Sequence, residues 1–162
     1  NGILYWKPAI FLFAGLGSIA LIARLSRPHA TAHKAYYAPF FIVFALIIWQ
    51  SLVQIPAQTF GTWGLIQMAF SPTAGIACIA SITIGGSLIL ATLWATWLRH
   101  TAPNNPKLMG ALAGFSASSL AASAFVIHCS KDMMLYILIY YGLTIAALSL
   151  VGLYLGHRYL KW

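Results

Sequence analysis

Long apolar runs broken by short polar stretches alternate along the whole chain. The first run, from Pro8, ends at Arg24, and a polar loop follows with Arg27, Pro28, His29, His33 and Lys34. From Ala35 to Leu98 there is no Asp, Glu, Lys or Arg, a stretch too long for one membrane crossing of about 20 residues. Pro56, Gly61, Gly64, Pro72 and Gly75 divide it, so the pattern predicts spans near 37–55 and 76–98. Turn residues Pro103, Asn104, Asn105 and Pro106 introduce a span near 108–127, and the break His128-Cys129-Ser130-Lys131-Asp132 introduces another near 133–156. With the first span near 8–24, five helical crossings are expected in this chain. A membrane barrel would need strands of about ten residues with alternating polarity, and none occurs. The outer loop 56–75 is rich in apolar and aromatic residues, including Phe60, Trp63, Ile66 and Phe70. It reads as a short interfacial or re-entrant helix lying on the membrane, or alternatively as a lid near Cys78.

Composition fixes the class. Hydrophobic residues make up 61% of the 162 positions and charged residues only 6%, against roughly a quarter charged in an ordinary soluble domain. A soluble domain is thereby excluded, and so is a disordered chain, which would be poor in aromatics. The expectation is an all-α polytopic transmembrane helical bundle, with residues 1–162 forming a single transmembrane domain. The net charge of +8 would point to nucleic acid in a soluble protein. Here it reads as topology charge, with no direct nucleic-acid partner. Seven of the nine Lys and Arg fall in the 24–34 loop, the 99–107 loop and the tail after 156, and the remaining two are Lys7 and Lys131. By the positive-inside rule the first group is cytoplasmic, so the chain starts outside and ends in the cytoplasm. Five spans with an outer start predict one further span upstream, six in the full protein; the alternative is a five-span protein processed at its N-terminus.

Small residues at spacing four let helix backbones approach where lipid supplies no hydrophobic drive. Gly110, Gly114, Ser118 and Ala122 form such a stripe, and Gly152 and Gly156 another. They predict packing faces, within the bundle or against membrane-helix partners. The short 99–107 loop predicts antiparallel neighbours on either side of it.

Cys78 lies 21 residues before Arg99 and Cys129 lies 22 residues after Lys107. At about 1.5 Å per helical residue both stand roughly 31–33 Å from the 99–107 loop, at matching depth on the outer rim. His128, Cys129 and Asp132 fall within five residues, and imidazole, thiolate and carboxylate are all metal donors. Cys78, Cys129, His128 and Asp132 are therefore the candidate site, holding a soft metal ion or closing a disulfide between the two thiols. Two apolar cysteines beside a loop histidine remain the plainer alternative. No histidine pair lies inside a span to hold haem, no acid lies inside a span to move protons, and no phosphate loop or nucleophile triad is present. An enzyme is not expected. A structural or accessory subunit of a larger membrane complex is one rival reading, and a small-molecule or metal permease another.

Several short motifs carry a resemblance. Arg27-Pro28, Cys78, Ala102-Pro103, Pro106, Gly110, Gly114, His128-Cys129-x-x-Asp132, Tyr141-Gly142 and the closing Leu160-Lys161-Trp162 together resemble the NrsF family, negative regulators of extracytoplasmic-function sigma factors of the sigma-F kind. The family typically has an acid where this chain has Lys131, often Trp at the place of Tyr140, and often Arg at the place of Lys161. The resemblance implies a six-span inner-membrane protein with both ends cytoplasmic. It implies a sigma factor held by cytoplasmic parts that lie largely outside this chain. It further implies that Cys78 and Cys129 sense metal or oxidant stress and control sigma-factor release.

Overall fold

The computed structural model describes residues 3–27, 72–101, 103–128 and 134–160, together with Ala45, Ile48 and Trp49. The described residues form four long helices and no strands. They are α1 (Ile3–Leu25), α2 (Pro72–Thr96), α3 (Pro106–Val126) and α4 (Met134–Tyr159). A 3-10 turn at Leu98–His100 follows α2. All four helices are long and apolar enough to cross a membrane. The expected span near 37–55 lies outside the described residues apart from Ala45, Ile48 and Trp49, which are helical and exposed.

Helix boundaries follow local chemistry. Asn105 caps α3: its Oδ1 accepts from the Leu108 backbone N–H at 3.3 Å, and Pro106 occupies the first helical position, where its missing N–H costs nothing. Proline plays the same part at the start of α2. Helix α2 therefore begins at Pro72, four residues before the span expected near 76, so residues 72–75 of the expected outer loop 56–75 are helical and its remainder lies outside the described residues. Helix α1 starts at Ile3 and carries Pro8 within it, since an early proline forfeits a single helical hydrogen bond in an apolar helix that tolerates it.

Two buried clusters show how the helices run. One joins Leu21 and Ile22 of α1, Leu90 of α2, Leu98, Met109 and Leu112 of α3, and Leu160. The other joins Phe11 of α1, Ile82 of α2, Ala121, Ala122 and Val126 of α3, and Tyr141 and Ile145 of α4. Helices α1, α2 and α4 thus run from the second cluster to the first, and α3 runs the opposite way. Antiparallel packing of α2 and α3 agrees with the short loop between them. Because α1 and α2 share a direction, Arg27 and Pro72 stand at opposite ends of the bundle.

Helix α3 is the hub. Its span is 67% buried, against 33% or less for the other three. It touches each of them because it is built from small residues. A Cβ added at Gly110 would meet the Gly152 carbonyl oxygen and, at 2.9 Å, the Gly156 Cα. One added at Gly114 would meet the Leu148 carbonyl oxygen and, at 2.9 Å, the Ser149 Cα. The predicted stripes on α3 and α4 are thus two sides of one backbone-to-backbone seam. Buried hydroxyls on α3 bond to their own helix: Ser116 Oγ to Ala113 O at 3.0 Å, Ser118 Oγ to Gly114 O at 2.8 Å and Ser123 Oγ to Leu120 O at 2.7 Å. The outward faces of the other helices carry large apolar side chains such as Phe13, Ile84, Leu88, Leu143 and Leu150.

Candidate functional site

The second cluster surrounds the predicted thiol. Cys78 sits in the second turn of α2, half-buried, and packs against the cluster of Phe11, Ile82, Val126, Tyr141 and Ile145. Tyr141 is wholly buried, and its ring lies 5.9 Å from that of Phe11. One turn before Cys78, a Cβ at Gly75 would fall 2.5 Å from Cζ of Tyr140, so the Tyr140 ring crosses the α2 backbone there. Cys78 therefore stands on α2 beside a cluster to which α1, α3 and α4 all contribute.

His128 lies just beyond the end of α3. Its backbone N–H donates to Phe125 O at 3.0 Å, and the residue is exposed. Val126 belongs to the cluster against which Cys78 packs, so Cys78 and His128 occupy the same end of the bundle, as their spacing from the 99–107 loop predicts. Cys129 and Asp132 lie outside the described residues. Among the described residues there is no group of three or more metal-ligating side chains.

Sequence reasoning missed Phe11, Ile82, Tyr140 and Tyr141 as the walls around Cys78. The signal that could have found α2's part is its spacing: Gly75, Cys78, Ile82 and Gly86 recur at three and four residues. Gly86 packs on the same two helices, α3 and α4, with a Cβ there falling 2.7 Å from Cδ1 of Leu148 and 3.4 Å from the Ser118 Cα.

The opposite end of the bundle is basic. Arg24 lies in the last turn of α1 and Arg27 follows it, Arg99 and His100 follow α2, Lys107 opens α3, and His157 and Arg158 close α4. Leu98 and Leu160, both buried in the first cluster, plug the space between these ends. The cations at the ends of α1 and α4 oppose the negative ends of the helix dipoles. Arg99 Nε donates to His100 Nε2 at 3.0 Å. Arg158 donates from one guanidinium nitrogen to the Tyr154 hydroxyl at 3.0 Å and stands 5.8 Å from the Tyr159 ring centroid. The Tyr159 ring in turn meets Trp94 of α2 edge-on, with centroids 6.3 Å apart. The charges that sequence assigns to one side of a membrane are thus gathered at one end, wherever they are described.

Comparison with known proteins identifies the family. The family described as "Negative regulator of sigma F" matches residues 1–162. The chain is also similar to the anti-sigma-F factor NrsF of Caulobacter vibrioides (strain NA1000 / CB15N). It is 28% identical to that protein over 166 residues, which cover 99% of this chain and 74% of the relative. No solved structure matches. The family is regulatory rather than catalytic, and the chain belongs to it: it is an NrsF-type negative regulator of a sigma factor.

Proposed function

We propose that this chain is the membrane-embedded sensing part of an anti-sigma factor that answers metal or oxidant stress. It crosses a bacterial inner membrane five times, with its start in the periplasm and its end in the cytoplasm. The parallel run of α1 and α2 supports an odd number of crossings, because one passage between Arg27 and Pro72 would make the fifth. The gathering of cations at one end supports the orientation.

In this reading Cys78 and Cys129 face the periplasm. A soft metal ion displaces the thiol protons and binds both sulfurs, with His128 and Asp132 as further donors. An oxidant instead removes two electrons and two protons from the pair and leaves a disulfide. Either event ties α2 to the segment after α3. A signal can bias the bundle only through its different affinity for two packings, and the position of Cys78 is the observation that carries the reading. From there, a bond made to α2 acts on α3 and α4, against which α2 packs, and through their shared cluster on α1. The cytoplasmic parts then release the sigma factor. The internal use of the small-residue seam speaks against an accessory subunit that saves those faces for foreign helices.

The test is co-purification. The sigma factor should be captured with the full-length protein from untreated membranes and should leave it after addition of a soft metal ion or peroxide. Retention at the same level after both treatments would sink the sensing reading while leaving the family assignment intact.

A further inference from the structure

We infer that the end of α4, together with Trp94 of α2, forms a binding site for the headgroup of one anionic phospholipid. Arg158 is exposed, yet its guanidinium is held in place by the Tyr154 hydroxyl and the Tyr159 ring. A guanidinium carries five N–H donors in a planar fork suited to phosphate, and the Tyr154 bond at 3.0 Å engages one of its nitrogens. The chain has a single acidic side chain, Asp132, which precedes helix α4, and Arg158 stands about 36 Å of helix from Met134 at 1.5 Å per residue. Helix α4 therefore carries no acidic side chain to meet the site's positive charge.

The surroundings select a lipid over an acidic protein surface. Trp94 and Tyr159 pair edge-on beside the guanidinium, and such amphipathic rings settle at headgroup depth. About two turns deeper on α4, below Arg158 and Tyr154, Leu150 and Val151 are exposed at 65% and 48%, an apolar surface on which an acyl chain can lie. Cation, aromatic wall and apolar flank follow one another along the helix axis in the order phosphate, interface and hydrocarbon. An acidic protein would find the charge but would leave the apolar flank bare.

The full-length protein in detergent, offered equal amounts of phosphatidylglycerol and phosphatidylcholine, should retain phosphatidylglycerol in native mass spectrometry. Arg158→Ala and Arg158→Gln should each lower that retention about fivefold, the worth of one juxtamembrane cation at an anionic surface. Arg27→Ala, at the exposed end of α1, should change it little. Circular dichroism identifies a variant that fails to fold, and Gln, which can still bond Tyr154, serves where Ala does not. Equal losses for Arg27→Ala and Arg158→Gln would overturn the site in favour of a diffuse basic rim. Equal retention of the two lipids by wild type would overturn it in favour of an acidic protein partner.

Discussion

Gly114→Ala adds one methyl group where α3 and α4 already touch backbone to backbone. The new Cβ would fall 2.9 Å from both the Leu148 carbonyl carbon and the Ser149 Cα, and closer still to the Leu148 oxygen. None of these is the movable tip of a side chain, so the helices themselves must part. A radial gap of 0.5–1 Å forfeits a quarter to a half of each dispersion contact. Over a seam with about as many contacts as one buried Leu, roughly 50 pairs at about 0.15 kcal/mol, losing a quarter costs about 2 kcal/mol. That lies within the roughly 1–3 kcal/mol typical of overpacked cores. The control is Gly142→Ala on α4, where nothing lies within 4 Å of the added carbon and better helix propensity is worth up to about 1 kcal/mol. SDS titration of the purified protein, followed by circular dichroism, gives both free energies. If the two variants agree within about 0.5 kcal/mol, the α3–α4 seam is not the close contact described here.

Four other outcomes follow from the same geometry. Asn105→Ala removes the cap on α3 and should cost about 1 kcal/mol in the same titration; no change would mean that the Leu108 N–H has another acceptor. Ile82→Ala, at a wholly buried position, should cost about 2–5 kcal/mol, whereas Ile84→Ala, 63% exposed on the same helix, should cost much less; equal costs would contradict the assignment of α2's buried face. The buried Ser119 hydroxyl has no hydrogen-bond partner among the described residues, so Ser119→Ala should leave stability unchanged or raise it by up to about 1 kcal/mol, and a clear loss would reveal a partner. In a background without native thiols, Asn104→Cys should resist an impermeant maleimide in intact cells and Ser130→Cys should react; the reverse labelling would invert the proposed orientation.

The hydrophobic pattern made the four described helices legible, because crossing a bilayer demands apolar length and little else. It did not show which face of each helix is buried. Apolar side chains surround α1, α2 and α4, since lipid and protein interior favour the same residues, and amphipathic periodicity is lost. Small residues supplied the missing signal on α3 and α4, where Gly110, Gly114, Gly152 and Gly156 mark the seam. The span expected to end near 156 continues as helix to Tyr159, with Gly156 inside it allowing close approach to Pro106 and Gly110. The aromatic walls around Cys78 were not legible, since Phe11 comes from α1 and Tyr140 and Tyr141 from α4, and they meet only in the folded bundle.

The central claim rests on two thiols acting together, and a reporter for the sigma-dependent promoter tests it most directly. Cells carrying the full-length protein with Cys78→Ser or Cys129→Ser should keep the promoter silent without stress, because the sigma factor is still held. Cadmium or peroxide should then fail to induce it in either variant, since one sulfur cannot bridge two segments. Induction of the Cys78→Ser strain to the wild-type level by both agents would contradict the account.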